Sequence, residues 1–285
     1  ALTFTEKAAA EMEERVDLLL PMGYLDLSIS TFHSFCETLL RDYAVELGLS
    51  RNFKVLSEID AWLLARQEFE QFDLKYYRPL GNPTKYIRSL LTHFSRLKDE
   101  ANTPEAYFDF VENQRANLDS ATSDDAANQE IERLQELANA YHIYQQILAA
   151  HDALDFGDLL MFVIKLFNER PKILNQIREQ FKHVLVDEFQ DTNVAQYIII
   201  KMIAAPKNNI TIVGDDDQSI YKFRGASLAN ILQFESDYPN SKQIVLTNNY
   251  RSVQSVLDHA YKFIQENNPN RLEAQSNGKL VKQLK

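Results

Sequence analysis

Two adjacent carboxylates, Asp187 and Glu188, follow a short apolar segment in the stretch HVLVDEFQD. That segment, residues 183–186, has the length and the β-branched content of a buried strand. Carboxylates at the end of a buried strand are costly unless a cation or a water molecule uses them. In open α/β sheets, ligands bind beyond the carboxyl ends of the strands. One carboxylate of such a pair can hold Mg²⁺ while its neighbour polarises an attacking water.

The alternative interpretation, without a catalytic role, is a charged turn after a strand. On the two carboxylates alone we favour that alternative, because short motifs match by chance. The pair nevertheless has the Walker B arrangement of nucleotide hydrolases, and the sequence around it decides between the two interpretations.

Three polar segments are expected at the same edge of the sheet, because each follows a predicted strand. Together they offer a metal ligand, a base, an amide that can touch a phosphate or a water, and an arginine, which is the set that phosphoryl transfer requires. Taken singly, Gln218 is better explained as a turn residue and Arg251 as a surface cation. The segments are Asp187–Asp191, Gly214–Gln218 and Asn248–Arg251.

A second group of residues is aromatic and cationic. Aromatic rings next to cations on exposed loops are surfaces on which single-stranded nucleic acid stacks. The alternative is core packing, and for Phe32 the two interpretations are equally good. For Tyr221 and Phe223, which Lys222 and Arg224 flank, we favour the nucleic-acid interpretation. The group at or just after predicted strand ends is Phe4, Phe32, His33, Tyr221 and Phe223.

The composition is that of a globular protein of one large or two ordinary domains, with 285 residues, 45% hydrophobic and 25% charged. No apolar run reaches the about 18 residues of a membrane span. The single cysteine, Cys36, excludes an internal disulfide, fits a reducing cytosol and lies on an apolar helical face, where we expect it to be buried. The net charge of −11 argues against nonspecific binding of nucleic acid over the whole surface, but not against a local binding track.

The start of the sequence suggests a fragment. The first residue is not Met, and residues 2–4 resemble a strand already under way. No G-x-x-x-x-G-K-[ST] phosphate loop occurs in the chain. We expect that loop to precede the present first residue.

The elements that must position these residues alternate between strand and helix. Short strands expected at 2–4, 27–30, 183–186, 210–213 and 244–246 predict an α/β fold with a parallel, doubly wound sheet. Residues 50–153 instead show almost only helical patterns, with Ser57, Thr84 and Thr103 as predicted N-caps and a polar loop at Asp119–Asp125. Outside this region, Thr5 and Asp155 are the predicted N-caps of the helices that follow them, and a further helix is predicted over Val194–Ala204. We therefore predict two parts of one core, 1–49 and 154–266, an all-helical insertion at 50–153, and a linker at 267–285.

Six segments together resemble superfamily 1 DNA helicases of the UvrD/Rep/PcrA type. LTFTEKAAAEMEERV resembles motif Ia of that family and ISTFHSFC resembles motif Ib. ALDFGDLL resembles the segment that closes the helical insertion. VLVDEFQDTN resembles motif II, ITIVGDDDQSIYKFRGA motif III and LTNNYRS motif IV. Their order and spacing cover nearly the whole chain, although 50–153 matches only by position and helical character.

The resemblance implies a RecA-like P-loop NTPase core with a helical insertion, which uses ATP and Mg²⁺ to move 3′ to 5′ on single-stranded DNA and to unwind duplex at the junction. It implies that Asp187 binds Mg²⁺ and that Glu188 activates water. It implies that Gln218 senses the γ-phosphate, Arg251 contacts it and Tyr250 packs on the adenine. The residues implied to line the single-strand track are Phe4, Thr31, His33, Tyr221, Phe223 and Arg224.

Several departures from the family pattern accompany the resemblance. The phosphate loop, the adenine-reading Gln motif and the second RecA-like domain are missing, so we expect this chain alone to be inactive. Glu6 stands where many members have Asn, and Phe223 where many have Trp. Two alternatives stay open: a non-catalytic DNA- or protein-binding module that keeps the fold, and part of a RecB/AddA-type helicase–nuclease subunit. We expect a cytoplasmic protein, and repair proteins are possible partners.

Overall fold

A parallel four-stranded sheet organises the first and last parts of the chain. The computed structural model describes residues 1–20, 27–117, 125–218, 228–268, 271–275 and 281–284. Every pair of neighbouring strands in the sheet is parallel, with Leu2 opposite both Ser30 and Val186. The expected α/β fold with a parallel sheet is confirmed. The strands are β1 (Leu2–Thr3), β2 (Ser30–Thr31), β5 (Val184–Val186) and β6 (Ile210–Ile212), in the order β2-β1-β5-β6.

Helices pack against this sheet around one apolar core. Val184 and Val186 point into the core, whereas Leu185, on the opposite face of β5, is 47% exposed. Cys36 is fully buried, as predicted, and burial raises the pKa of its thiol. The helices that contribute residues to this core are α2 (Phe32–Tyr43), α7 (Phe156–Glu169), α8 (Pro171–Gln180), α9 (Val194–Ala204) and α10 (Leu228–Asp237). The same parts of the chain also contain α1 (Glu6–Leu19), α11 (Gln254–Ile264) and α12 (Leu272–Gln275).

The middle of the chain builds a second apolar core from helices. The ring of Phe94 stacks between those of Tyr141 and Tyr144, with centroid distances of 5.2 Å and 5.6 Å, and all three side chains are buried. This cluster shares no member with the core around the sheet. Its helices are α3 (Glu58–Gln67), α4 (Ile87–Asp99), α5 (Pro104–Ala116) and α6 (Asp125–Ala150).

Two short strands mark the ends of the helical part, so the expectation that residues 50–153 are all helical is wrong in that detail. Strand β3 (Lys54–Val55) pairs in parallel with strand β4 (Ala153–Leu154). The backbone N–H of Lys54 donates to Asp152 O at 2.8 Å. The chain enters and leaves the helical part side by side, and the two extended segments satisfy each other's backbone groups.

Most predicted N-caps are confirmed, because a cap is a local interaction. The side chains of Thr5, Ser57, Thr103 and Asp155 each accept a bond from the backbone N–H three residues later. The predicted N-cap at Thr84 is wrong. Helix α4 begins only at Ile87, and the Thr84 hydroxyl donates to Asn82 within the preceding turns.

The last predicted strand, at 244–246, does not form. Residues 241–249 have no regular secondary structure, and Ile244 and Leu246 are 71% and 77% exposed. A strand needs a neighbour for its backbone groups, and within the described residues this segment pairs with none. The predicted loop at Asp119–Asp125 lies outside the described residues except for Asp125, which begins α6. No helix in the described part of the chain has the length and apolarity to cross a bilayer.

Candidate active site

The end of β5 carries the two predicted catalytic carboxylates and is held on both sides. The backbone N–H of Asp187 donates to Leu2 O on β1 at 2.9 Å. The N–H of Phe189 donates to Val213 O, just past β6, at 2.8 Å. Asp187 is half-buried, whereas Glu188 is exposed. The strand ends therefore present one carboxylate at the sheet edge and one toward solvent.

Glu188 has a strained backbone. Its φ is +49°, in the left-handed region that residues with a Cβ adopt only at a cost of about 1–3 kcal/mol. The surrounding hydrogen bonds hold this conformation, since the N–H of Asp191 donates to Glu188 O at 2.9 Å. Such strain accumulates at functional sites. Burial, followed by the charge of Glu188, raises the pKa of Asp191.

A buried glutamine connects Glu188 to the loop after β6. Gln190 is 1% exposed. Its Nε2 donates to Glu188 Oε2 at 2.6 Å, and its Oε1 accepts from the backbone N–H of Asp215 at 3.0 Å. Gln218 Nε2 in turn donates to Asp215 Oδ2 at 3.1 Å. The structure thus joins two predicted site residues, Glu188 and Gln218, through a continuous line of hydrogen bonds.

The loop after β6 also contains three neighbouring carboxylates, Asp215, Asp216 and Asp217. Lys282 forms ion pairs with all three, and Arg271 makes a bidentate pair with Asp217 at 2.6 Å and 2.7 Å. Burial raises the pKa of Asp217, but the hydrogen bonds from Arg271 and the charge of Lys282 outweigh that effect and hold it below its usual value. Because cationic side chains already neutralise this cluster, Asp187 is the better candidate for a metal ligand.

The predicted adenine and γ-phosphate residues of the third segment do not follow a strand. Tyr250 is 93% exposed, and Arg251 is exposed as well. The side chain of Asn249 accepts from the backbone N–H groups of Arg251 and Ser252, both at 2.9 Å, and so builds a local turn. The expectation that this segment leaves the sheet edge from a strand is wrong, because residues 244–246 pair with no strand in the described residues.

Among the residues expected to line a DNA track, the structure describes three. Phe4 and His33 are half-buried, and the ring of His33 meets that of the exposed Phe156 edge-on at 5.5 Å. Thr31 is buried, caps α2 by accepting from Ser34 N, and donates its hydroxyl to Glu6 at 2.8 Å. Tyr221, Phe223 and Arg224 lie outside the described residues.

Two hydroxyl groups donate hydrogen bonds to the carboxylate of Glu6. Ser34 Oγ donates to Glu6 Oε1 at 2.7 Å, and Thr31 donates to the same oxygen. These two bonds, that of Ser34 first, lower the pKa of Glu6. The carboxylate therefore ties the start of α1 to the start of α2.

Sequence reasoning missed the role of Gln190 and of Asn193, although both lie in the quoted stretch VLVDEFQDTN. Asn193 caps α9 by accepting from Gln196 N at 2.8 Å, and its Nδ2 donates to Asp99 Oδ1 at 2.6 Å. A polar residue after the carboxylate pair was the available signal. Two of their partners lie too far away in sequence to be predicted from the pattern, since Gln190 and Asp215 are 25 positions apart and Asn193 and Asp99 are 94 positions apart.

Comparisons with known proteins show which family the chain belongs to. Residues 1–239 match the model of the UvrD/REP helicase N-terminal domain. The chain belongs to this family. It is 40% identical over 272 residues to the ATP-dependent DNA helicase PcrA of Bacillus subtilis, and 38% identical over 269 residues to the ATP-dependent DNA helicase PcrA of Staphylococcus aureus.

The match covers this chain almost completely and the relatives only partly. It includes 95% and 94% of the chain but 33% of each of these two relatives. The chain thus spans about a third of the length of the curated relatives that it matches. The UvrD-type family predicted from the six segments is confirmed.

Proposed function

We propose that this chain is the first motor domain of an ATP-dependent DNA helicase. The line of hydrogen bonds from Glu188 through Gln190 and Asp215 to Gln218 carries the proposal, because it joins a base candidate and a phosphate-sensing candidate across two neighbouring strand ends. This arrangement suits water activation next to a γ-phosphate. Membership of the UvrD/REP family supports the same chemistry.

Each residue of the site has a proposed role. Asp187 is the Mg²⁺ ligand, since a half-buried carboxylate at a strand end offers the hard oxygen that this ion prefers. When bound, Mg²⁺ would neutralise charge on the phosphate oxygens. Glu188 accepts a proton from the attacking water, and Gln218 contacts the γ-phosphate.

Tyr250 and Arg251 are proposed to contact the adenine and the γ-phosphate. Both side chains are exposed, so they are free to meet a nucleotide that binds between this chain and a further part of the protein. We propose a second RecA-like domain as that part. The length of the relatives, of which this chain spans about a third, supports its presence.

We propose single-stranded DNA and its junctions with duplex as the substrate, with 3′ to 5′ movement. Phe4, Thr31 and His33 lie at the ends and starts of elements beside the sheet edge, and Tyr221, Phe223 and Arg224 would complete the track. The division into a core of residues 1–49 and 154–266 and a helical domain at 50–153 is proposed on the two separate apolar clusters. Residues 267–285 are proposed as a linker or the start of the second motor domain. A cytoplasmic location completes the proposal.

DNA-stimulated ATP hydrolysis by the intact protein that contains this chain tests the assignment. Wild type should hydrolyse ATP faster with single-stranded DNA, and Glu188→Gln should lower kcat by about 10²–10⁴-fold, because the base is lost. The DNA affinity of Glu188→Gln, measured by fluorescence anisotropy, should stay close to that of wild type. The exposed Glu169→Gln on α7 is the matched control and should leave kcat unchanged. A wild type without DNA-stimulated hydrolysis would instead indicate a non-catalytic module.

A second experiment tests the DNA track. Tyr221→Ala should weaken single-strand binding by about 1–3 kcal/mol, because it removes a stacking ring. Phe110→Ala, at an aromatic residue that is 46% exposed on α5, is the control. Equal losses of affinity in the two variants would contradict a specific track through Tyr221.

A further inference from the structure

The side-chain amide of Gln190 is fixed at both ends inside the protein. It is 1% exposed, and both of its polar atoms are used. We propose that Gln190 is a positioning residue that fixes the Glu188 carboxylate relative to the loop after β6. This inference rests on the proposed function of Glu188 as the base.

Glu188 needs such a partner because its side chain is exposed. A free glutamate side chain samples several rotamers, and most of them point its carboxylate away from a bound nucleotide. The bond from Gln190 Nε2 to Glu188 Oε2 is short, at 2.6 Å, as expected for an acceptor that carries charge. In the part of the chain that the structure describes, no group donates to the other carboxylate oxygen, Oε1, which is open to a water.

The opposite end of the amide fixes Gln190 itself. Its Oε1 accepts the backbone N–H of Asp215, so its orientation is set by the backbone of a neighbouring strand end. An amide can donate to the carboxylate and accept from the backbone at the same time. Glutamate could accept at both ends but could not donate to Glu188, and methionine could replace neither bond.

Gly214 leaves the space that this arrangement needs. A Cβ at position 214 would lie 2.8 Å from Gln190 Oε1 and 3.3 Å from Gln190 N. Any side chain there would displace the buried amide or the loop. Gly214→Ala therefore disturbs the same contact from the opposite side while Gln190 remains in the chain.

The loop that Gln190 holds also carries Gln218. Asp215 accepts from Gln218 Nε2 at 3.1 Å, and the backbone N–H of Gln218 donates to Asp215 O at 3.0 Å. The base candidate Glu188 and the phosphate-sensing candidate Gln218 therefore belong to one hydrogen-bonded network, in which Gln190 is buried. A shift of the loop after β6 would be transmitted to the Glu188 carboxylate through the Gln190 side chain.

Steady-state kinetics of the intact protein test the role. Gln190→Met and Gly214→Ala should each lower the kcat of DNA-stimulated ATP hydrolysis by about 10–100-fold, because the base is misplaced. In Gln190→Met the KM for ATP should stay within about 2-fold of wild type, since Asp187, Tyr250 and Arg251 keep their proposed nucleotide contacts. A purely structural defect would change KM and kcat together.

A double variant separates action through Glu188 from any other effect. If Gln190 acts only through the base, Gln190→Met should cost nothing more in a Glu188→Gln background. A further 10-fold or larger loss in the double variant would overturn the proposal. An unchanged kcat in Gln190→Met would also overturn it.

The matched control is Gln196→Glu, compared with Gln190→Glu. Gln196 is buried too, at 3% exposure, and its Oε1 accepts from Asn193 N, a bond that glutamate retains. Gln190→Glu should lower kcat at least as far as Gln190→Met, whereas Gln196→Glu should leave it near wild type. Equal losses in the two glutamate variants would show that any buried acid near α9 is harmful and would overturn the specific role.

Hydrogen exchange gives a readout besides activity. Exchange in the segment 213–218 should become faster in Gln190→Met, because Asp215 N–H loses its acceptor, and should stay slow in Gln190→Glu. Unchanged exchange in Gln190→Met would contradict the proposed role of Gln190 in holding the loop after β6. A wild type that hydrolyses no ATP would remove the proposed function and this role together, whereas an active wild type with unaffected Gln190 variants removes this role alone.

Discussion

Lys98 Nζ lies 2.7 Å from Asp158 Oδ1, and the two side chains are 0% and 2% exposed. The ammonium also contacts Asp155 Oδ2 at 2.6 Å, and the hydroxyl of Tyr144 donates to the same oxygen at 3.1 Å. Lys98 belongs to α4 of the helical part, whereas Asp158 is in the first turn of α7 beside the sheet. A buried ion cluster therefore fastens the helical part to the core.

The charges of this cluster depend on one another. Burial lowers the pKa of Lys98, but the attraction of Asp155 and Asp158 outweighs that effect and raises it above its usual value. Burial, followed by the charge of Asp155, raises the pKa of Asp158 to about 6. Because two acids share one ammonium, removal of the cation leaves both of them in a buried site without compensation.

Lys98→Met should lower the free energy of unfolding by about 3–5 kcal/mol, because it leaves uncompensated buried carboxylates. Urea denaturation followed by circular dichroism measures the change. The triple variant with Asp155→Asn and Asp158→Asn should recover part of the loss. Lys165→Met, at an exposed lysine of α7 whose partner Glu169 is 4.0 Å away, should change stability by less than about 1 kcal/mol. Equal losses at Lys98 and Lys165 would contradict a buried cluster that contributes to stability.

Gly157→Ala tests how closely α7 packs on Lys98. A Cβ at position 157 would lie 2.7 Å from Lys98 Cδ and 2.9 Å from Lys98 Cβ. Alanine normally favours a helix over glycine by about 1 kcal/mol, but overpacking costs about 1–3 kcal/mol. Since the clash involves the root of a buried side chain, we expect a lower Tm.

The control for this variant is Gly81→Ala, where a Cβ would meet nothing within 4 Å. Its Tm should stay close to that of wild type. A Gly157→Ala protein that is more stable than wild type would show that Lys98 moves aside easily.

Local signals allowed much of the fold to be predicted from the sequence. The N-caps at Thr5, Ser57, Thr103 and Asp155 depend on neighbours three residues away, and helix α9 forms over the predicted residues. The placement of Glu188 and Gln218 at neighbouring strand ends also followed from the pattern, because parallel strands end at one edge.

Long-range contacts could not be predicted in the same way. Lys98 and Asp155 are 57 positions apart, and a lysine on a helix is normally taken for a surface residue. The same limit applies to Gln190, which reaches Asp215 across 25 positions. Residues 244–246 have the composition of a strand, yet strand formation depends on a neighbour that the composition does not specify.

The stability of the helical part should depend on pH through His93. Its ring lies 3.1 Å from the Tyr107 hydroxyl, and burial, followed by the charge of Arg96, lowers its pKa below 6.5. The unfolded state therefore binds the proton more readily than the folded state. The contribution of His93 to stability is complete when the pH is above the pKa of His93 in the unfolded state. It is lost as the pH falls from that value through the pKa of His93 in the folded state.

His93→Gln should reduce this loss, because glutamine does not titrate. Free energies of unfolding measured at intervals from about pH 7.5 to 5.5 test the effect, since histidine titrates in this window. His259→Gln, at an exposed position of α11, is the matched control. A steeper pH dependence in His93→Gln than in wild type would reverse the sign of the argument.

Asn193 should contribute more to stability than an ordinary helix cap. It is 4% exposed, caps α9 through Gln196 N and donates to Asp99 Oδ1 at 2.6 Å. Asn193→Ala should therefore cost about 2 kcal/mol, the sum of a cap and of a hydrogen bond to a carboxylate. Asn193→Ser, which retains the cap, should cost about half as much.

Thr103→Ala provides the reference for a cap alone, because Thr103 caps α5 through Ala106 N. The excess loss in Asn193→Ala over Thr103→Ala measures the contact with Asp99. That contact joins the last residue of α4 to the segment directly after Glu188, so the helical part and the loop that carries Glu188 are coupled through it. If the two alanine variants lose equal stability in urea denaturation, the contact between Asn193 and Asp99 contributes nothing beyond the cap.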